Sequence, residues 1–170
     1  MSDKKQFQWS YNGFKQGFYR PINPKKYIGT VNGSVTDIKY RSSWELRFMK
    51  YLDNSENCLR WNSEGVRIPY ISPVDGNLHH YWMDFYVEFK VGDSVEKYLI
   101  EIKPFSQTKP PENIKRRTEK QLQRYINESK TYLVNVAKWK AAEEYAKVNN
   151  IKFAILTEHN MDFLDRQTKI

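Results

Sequence analysis

The chain has 170 residues, enough for about one domain, and its 28 Lys and Arg outnumber 20 Asp and Glu to give a formal net charge of +8. Hydrophobic residues make up 39% and aromatic residues 15% of the sequence, which excludes a wholly disordered basic tail. A membrane span, a signal peptide, an internal disulfide and a zinc site are not expected, because the sequence has no long apolar run, one Cys and three His. We therefore expect a soluble cytoplasmic domain whose partner is anionic, with nucleic acid as the leading candidate.

The positive charge is concentrated in two segments. Residues 1–47 contain nine basic and three acidic residues, and residues 103–130 contain eight basic and three acidic residues. The remainder of the chain is slightly negative. We expect the surface that binds the anionic partner to come from these two segments.

The first 26 residues are interpreted as a basic aromatic arm, and residues 27–170 as a single domain. Aromatic residues are interleaved with polar ones in the arm without a helical or strand period, and Pro21 and Pro24 interrupt it further. The arm either packs on the domain through its aromatic side chains or contacts a partner.

A hairpin, a helix and two short strands are predicted next. Asn32-Gly33 predicts a tight turn between Tyr27-Ile28 and a strand over residues 35–40. A helix is expected over residues 42–53, because Ser42 or Ser43 can cap it and apolar side chains recur every four residues at Trp44, Phe48 and Leu52. The two strands are expected around residues 58–62 and 66–71.

Two longer strands, a long helix and a final strand complete the predicted fold. Residues 81–91 and 95–103 form an antiparallel pair around Gly92-Asp93, and a Pro-rich basic loop leads into a helix over about residues 115–149. The last strand covers residues 151–157. These elements predict an α/β domain with a mixed central sheet of about five strands flanked by helices.

Two carboxylates face each other in the predicted 81–103 hairpin. A two-residue turn places Asp84 opposite Glu101 and Trp82 opposite Lys103, and Asp84, Glu101 and Lys103 project from one face. Two like charges at this spacing are destabilising, and a shared Mg²⁺ would remove that cost. Lys103 could orient or deprotonate a metal-bound water, which is the chemistry of phosphodiester hydrolysis. The alternative is a solvated polar sheet face with a casual Lys–Glu pair.

Glu45 bears on that alternative. It lies between Trp44 and Leu46 in the first predicted helix, and packing of that helix on the sheet could bring it to the metal. By itself, a Glu near a helix N-terminus is also a favourable placement for the helix dipole.

The order of a helix Glu, a strand Asp and a Glu-Ile-Lys motif resembles the PD-(D/E)XK nuclease superfamily, and the variant with a Glu on the preceding helix resembles the TnsA-type transposon endonucleases. Five ordered segments between residue 23 and about residue 157 resemble the head-completion nucleases of T-even-like tailed phages. They are NPKKYIGTVNG, YRSSWELRFMKYLD, RIPYISPVDG, YLIEIKP and KTYLVNVAKWKAA. In one departure, Met83 stands where the family pattern often has proline before the Asp.

The resemblance implies a restriction-endonuclease-like core and a Mg²⁺-dependent DNA endonuclease, with Mn²⁺ as a substitute, that acts on packaged DNA or its ends late in capsid maturation. It implies that Asp84, Glu101 and the Ile102 carbonyl bind metal, that Lys103 serves the nucleophilic water, and that Glu45 is a metal or outer ligand. Double-stranded DNA is the expected partner, with phage head, portal or neck proteins as further candidates. The expected location is the host cytoplasm or the virion.

Basic residues around the start of the long helix are candidates for phosphate contacts, although a merely solvated helix face is nearly as good an interpretation. These residues are Lys115, Arg116, Arg117, Lys120 and Arg124. Gln121 and Gln123 are read as solvated helix residues, with a place near the metal as the second interpretation. The sequence has no Rossmann or P-loop glycine motif, so no nucleotide cofactor is expected.

Two other functions stay open at this point. One is a non-catalytic component of the virion head or neck that binds DNA ends with a nuclease-like fold. The other is a junction-resolving nuclease, which would need a dimer that places two sites on one branched substrate.

Overall fold

The structure is a computed structural model, and it describes residues 16–29, 37–113 and 118–166. Short 3₁₀ turns lie at Pro24–Lys26 and Phe105–Gln107. None of the helices in these ranges is long and apolar enough to cross a membrane. The elements in chain order are β1 (Gly17–Tyr19), β2 (Ile38–Tyr40), α1 (Ser43–Asn54), β3 (Cys58–Ser63), β4 (Arg67–Ile71), β5 (Leu78–Trp82), β6 (Phe85–Val91), β7 (Ser94–Ile102), α2 (Glu119–Val148), β8 (Lys152–Leu156) and α3 (Phe163–Arg166).

The central sheet is mixed and has the strand order β3-β6-β7-β8. The first three strands are antiparallel, whereas β8 is parallel to β7. A parallel pair needs a crossover connection, and α2 supplies it. The predicted α/β class and mixed sheet are confirmed, with four strands in the central sheet of the described residues. The other strands form two small sheets, β1–β2 and β4–β5.

Helices cover both faces of the central sheet. Side chains from α1 bury against one face, where the core contains Phe48, Met49, Leu52, Trp61, Phe85, Val87, Ile100 and Ile102. Side chains from α2 bury against the other face, where the core contains Ile68, Tyr81, Met83, Leu99, Ala142 and Ala146. Because Leu99 and Glu101 alternate with Ile100 and Ile102 along β7, Glu101 lies on the covered α2 side. The alternative of a solvated polar face is therefore wrong for this strand.

The predicted strand over residues 81–91 is split into two. β5 ends at Trp82 and pairs with β4, with Trp82 opposite Arg67, so the predicted pairing of Trp82 with Lys103 is wrong. β6 begins at Phe85 in the central sheet. Between them, the Met83 N–H donates to the Val66 carbonyl oxygen at 2.9 Å, a bond that proline at this position could not make. The chain therefore changes sheets at Met83 and Asp84.

The strand partner predicted for residues 35–40 is also wrong. β2 pairs with β1, and Tyr19 stands directly opposite Ile38. This pairing buries both side chains in the α1-side core, at 8% and 6% exposure, which explains why it prevails over a local hairpin. Tyr27 instead forms a bridge with Trp61. The Asn32-Gly33 turn and residues 1–15 of the arm lie outside the described residues.

The predicted helices are confirmed where the structure describes them. The Ser42 hydroxyl caps α1 by accepting from the Glu45 N–H at 3.1 Å. Phe48 and Leu52 are buried as the periodicity predicts, and Trp44 packs against the same core. Helix α2 begins at Glu119, with Thr118 as its N-cap, while residues 114–117 lie outside the described ranges.

Candidate active site

The β6–β7 hairpin brings the first candidate residues together. Val91 pairs with Ser94 and Phe85 with Ile100, which confirms the predicted register. Gly92 adopts a φ of +59°, the left-handed conformation that glycine favours at the first position of a two-residue turn. The same register leads to the end of β7, where Glu101 and Lys103 lie beside the break between β5 and β6.

Asp84 lies at this break and is held by the backbone of β7. Its Oδ2 accepts from the Ile102 N–H at 2.8 Å, and its own carbonyl oxygen accepts from the Glu64 N–H at 3.2 Å. The N–H and C=O of one strand residue point toward the same neighbouring strand. The Ile102 carbonyl oxygen, the third candidate ligand, is therefore directed to the side on which Asp84 lies.

Glu101 is a buried carboxylate with one free oxygen. The residue is 3% exposed, and its Oε1 lies 3.0 Å from the Lys103 Nζ. Its Oε2 is buried and has no hydrogen-bond partner among the described residues. Leaving a buried charged acceptor unpaired is costly, so such an atom calls for an explanation, and an unmodelled ion is one of the usual ones.

The charges of the site perturb one another. Burial raises the pKa of the Asp84 carboxyl, and the negative charge of Glu101 raises it further, whereas the Lys103 charge and the Ile102 N–H lower it. The pKa of Asp84 is above its ordinary value as a result. Burial lowers the pKa of the Lys103 ammonium, but the charges of Glu101 and Asp84 outweigh this effect and leave it raised. Lys103 is therefore protonated in this state and has no lone pair with which to deprotonate a water.

The donor set of the site fits a hard divalent cation. Asp84, Glu101 and the Ile102 carbonyl offer oxygen atoms only, and Mg²⁺ characteristically binds one or two carboxylates while keeping several waters. No group of three or more His, Cys, Asp or Glu that could hold a metal occurs in the described parts of the chain. Two carboxylates with a raised pKa and an unpaired oxygen suit Mg²⁺ or Mn²⁺ and do not suit a closed Zn²⁺ site.

Glu45 lies near the carboxylates but is engaged at the start of α1. Its Oε2 accepts from the Arg41 N–H at 2.8 Å, and its Oε1 accepts from the Ser42 hydroxyl at 2.9 Å. Its charge contributes to the raised pKa of both Asp84 and Lys103, so it shares their electrostatic environment. The structure gives Glu45 a capping role and no direct hydrogen bond to the other candidate ligands.

The candidate DNA-binding residues on α2 lie apart from the carboxylates where they are described. Lys120 and Arg124 are exposed in the first two turns of the helix, and Arg124 pairs with Glu128 at 2.7 Å. Gln121 completes the cap with Thr118, and Gln123 donates to Asn127, so neither glutamine contacts the site. Lys115, Arg116 and Arg117 lie outside the described residues.

Lys138 is a site residue that the sequence interpretation missed. Its Nζ lies 5.6 Å from the ring centre of Tyr70 and 5.5 Å from that of Tyr81, and the Tyr81 hydroxyl donates to the Lys138 carbonyl oxygen at 2.9 Å. Burial and the charge of Lys103 lower the pKa of Lys138, whereas the carboxylates raise it. One signal was available in the sequence: Lys138 flanks the buried α2 stripe at Trp139, a position where a lysine is unusual.

Arg41 is a second cation near the site. Its guanidinium binds Glu64 with two bonds, at 2.9 Å and 3.2 Å, and Glu64 has a φ of +52°, which is uncommon for a residue other than glycine. The Glu64 carboxylate raises the pKa of Arg41, and Glu45 and Asp84 contribute to the same shift. Arg41 thus adds positive charge at the end of the sheet where Asp84 lies.

Comparison with known proteins agrees with this arrangement. The family described as TnsA-like endonuclease N terminal matches residues 55–158, which include both carboxylates, Lys103 and Lys138. The chain is also 37% identical to the head completion nuclease of Enterobacteria phage T4 over 145 residues, which cover 85% of this chain and 92% of that protein. With its mixed sheet and its Asp, Glu and Lys at adjoining strand ends, this chain belongs to the TnsA-like endonuclease family.

Proposed function

We propose that the protein is a Mg²⁺-dependent DNA endonuclease of low sequence specificity, with Mn²⁺ as a substitute. The observation that carries this proposal is the buried, unpaired Glu101 Oε2 beside an Asp84 carboxyl of raised pKa. A pair of this kind is unfavourable without a cation and favourable with one. The family relationship supports the choice of phosphodiester hydrolysis over other metal-assisted reactions.

Each residue has a role that follows from its position. Asp84, Glu101 and the Ile102 carbonyl would hold the cation, which supplies charge neutralisation on the phosphate and a lowered pKa for the attacking water. Lys103, held as a cation against Glu101, would bind a phosphate oxygen and stabilise the negative charge that develops on it. Glu45 would act from outside through its charge, since capping already occupies both of its oxygens.

The proposed setting is phage head completion, on packaged DNA or its ends. It rests on the name of the T4 relative, and it makes the host cytoplasm or the virion the place of action and head, portal or neck proteins the candidate partners. The net charge of +8 supports binding to the DNA backbone. Lys120 and Arg124, with Lys115, Arg116 and Arg117, are the proposed phosphate contacts on that side.

Incubation of purified protein with supercoiled, linear and branched DNA, with Mg²⁺, with Mn²⁺ and with chelator, tests the proposal. The wild type should cut only when a metal is present. Glu101→Gln should lower the cleavage rate by at least about 10²-fold, because it removes one ligand charge and keeps the volume of the side chain. Glu96→Gln on the same strand is the matched control and should cut normally, because Lys152 and Tyr98 already bind both Glu96 oxygens.

The alternatives correspond to distinct outcomes of this experiment. If the wild type binds DNA but cuts no form of it with either metal, the protein is a non-catalytic DNA-binding component. If it cuts only branched DNA and is a dimer in solution, it is a junction-resolving nuclease. If Glu101→Gln cuts as fast as the wild type, the assigned site is wrong.

A further inference from the structure

The hairpin β4–β5 exposes one of its faces, and no described element covers it. Ile68 and Tyr81 on the inner face are buried against α2. Six side chains form the outer face, which the register sorts into three pairs: Arg67 opposite Trp82, Pro69 opposite His80, and Ile71 opposite Leu78. All six are exposed. The outer face therefore offers a binding surface beside the sheet that carries the active site.

The outer face holds an aromatic ring and a cation in contact. Trp82 is 53% exposed, and the Arg67 guanidinium lies 6.0 Å from the centre of its indole ring. A tryptophan buries much of its surface in most folded proteins, so one held half in solvent by a strand is a candidate contact residue. Aromatic rings with a neighbouring Arg are the groups on which unpaired nucleic-acid bases stack.

The position of Trp82 connects this surface to the active site. Trp82 precedes Asp84 by two residues, which is a backbone separation of about 7 Å in an extended segment. Exposure alternates along the segment: Tyr81 and Met83 are buried, Trp82 is exposed, and Asp84 is partly exposed. A DNA strand advances about 3.4 Å per nucleotide, so a strand whose phosphate lies at Asp84 reaches Trp82 within about two nucleotides.

The charge of the outer face favours nucleic acid over the other candidate occupants. The six side chains include Arg67 and His80 and no carboxylate. This composition suits a phosphate backbone. Residues 1–15 of this chain carry three Lys and one Asp, so the arm has the same sign of charge as Arg67 and is a poor occupant for this face.

We propose that Trp82 and Arg67 form a stacking platform for an unpaired base of the DNA substrate, and that the enzyme therefore prefers DNA with a single-stranded segment beside the cleavage position. This inference rests on the proposed function, because it names the class of DNA which that site would cut. Trp82 supplies the ring face, and Arg67 stacks on the ring and neutralises the adjoining phosphate. A fully paired duplex offers no free base face to this platform.

Binding measured without metal tests the platform separately from cleavage. The probes are a blunt 20-base-pair duplex and the same duplex with a short single-stranded tail that carries 2-aminopurine, whose fluorescence falls on stacking. Stacking of one base on an aromatic ring contributes roughly 1–3 kcal/mol. Trp82→Ala should therefore weaken binding of the tailed DNA by about 5- to 150-fold and abolish the quenching.

Two further variants keep the test sharp. Trp82→Phe should retain most of the preference for tailed DNA, because it keeps a ring. Leu78→Ala, an equally exposed change on the same outer face but far from Asp84, should leave binding unaltered. Urea unfolding of each variant identifies any loss that comes from misfolding.

The remaining outcomes separate this inference from the proposed function. If Trp82→Ala binds tailed and blunt DNA equally less well, or binds both as the wild type does, the platform is wrong and the outer face serves a protein or a second copy of the chain. Metal-dependent cutting would then still support the proposed function. If the wild type cuts nothing but its preference for tailed DNA depends on Trp82, the catalytic proposal fails and the platform stands.

Discussion

Two buried carboxylates of this domain, Asp53 and Glu101, have opposite surroundings. Asp53 at the end of α1 has no exposed surface, and donors occupy both of its oxygens. Its Oδ2 accepts from the Tyr19 hydroxyl and from the Ile22 N–H, each at 2.6 Å, and its Oδ1 accepts from the Asn23 N–H at 3.0 Å. These bonds fasten residues 19–23 to the core.

Glu101 is as deeply buried, yet only one of its oxygens has a partner. Lys103 approaches Oε1, and no described group approaches Oε2. The folded structure satisfies Asp53 completely, and thereby uses it to hold the chain in place. It leaves Glu101 with an unpaired oxygen next to another carboxylate. The difference indicates that Asp53 acts in stability and that Glu101 acts on something that the folded chain does not itself contain.

The largest effect is expected from removal of the partner of Glu101. Lys103→Met should lower metal-dependent cleavage by about 10²–10⁴-fold, because it removes the cation that binds the reacting phosphate. Calorimetric titration should show that Mg²⁺ still binds, since Lys103 is not a ligand. Equal loss of metal binding in Lys103→Met and Glu101→Gln would make Lys103 a structural partner only.

Changing each carboxylate to its amide compares the two regions directly. Asp53→Asn should lower the free energy of unfolding by about 3 kcal/mol, because the amide nitrogen faces a buried N–H or hydroxyl donor that then lacks an acceptor. Glu101→Gln should lower it by about 1 kcal/mol or less, because the amide oxygen can still accept from Lys103 and one of two repelling charges is gone. Urea denaturation measures both values.

A surface carboxylate provides the control for the Asp53 variant. Asp37 pairs with Arg20 at 2.7 Å, and both side chains are well exposed to solvent. Asp37→Asn should change the free energy of unfolding by less than about 1 kcal/mol. A loss as large as that of Asp53→Asn would show that the effect does not depend on burial.

Metal binding should stabilise one region only. At a Mg²⁺ concentration 100 times the dissociation constant, the free energy of unfolding of the wild type should rise by about 2.7 kcal/mol. The same rise is expected in Asp53→Asn and should be absent in Glu101→Gln. Thermal unfolding with and without Mg²⁺ measures it, and an equal rise in all three proteins would place the cation elsewhere.

The smallest effect is a pH dependence in the metal-free protein. The pKa of the Asp84 carboxyl is raised from 3.8 to about 8 on folding, so the unfolded chain gives up this proton at lower pH than the folded one. The contribution of Asp84 to stability is complete below about pH 4 and is lost as pH rises towards about 8, by at most about 1.4 kcal/mol per pH unit.

Asp84→Asn isolates this contribution, because an amide does not titrate. The difference in free energy of unfolding between the wild type and Asp84→Asn should fall across this pH window without metal. Saturating Mg²⁺ should remove most of the fall, because the cation favours the charged carboxylate. A difference that stays constant with pH in chelator would mean that the Asp84 pKa is not raised.

Much of this site could be predicted because its elements are local. The turn at Gly92-Asp93 and the alternation along 85–91 and 94–102 set the hairpin register, and the register determines that Glu101 and Lys103 share a face. The stripe Trp44, Phe48 and Leu52 and the Ser42 cap likewise depend on neighbours within a few residues, and α1 formed as predicted. The metal and the substrate stay proposals.

The break at Met83 and Asp84 could not be predicted, because the alternation of residues 81–91 is continuous through it. A pattern of period two predicts an extended chain but does not say which sheet each part joins. The partner of β5 is β4, and only the tertiary structure decides this. The same limit concealed the β1–β2 pair, whose two strands lie about 20 residues apart.

The sequence by itself determined the fold class, the positions of most helices and strands, and the spacing of Asp84, Glu101 and Lys103, since these depend on periodicity, turns and caps along the chain. Only the tertiary structure decided that α2 covers Glu101, that Lys138 joins the site between Tyr70 and Tyr81, and that Trp82 stays exposed. Burial, the unpaired oxygen and the raised pKa all arise from groups far apart in sequence. Such contacts depend on how faces of different elements pack, which the order of residues along one element does not encode.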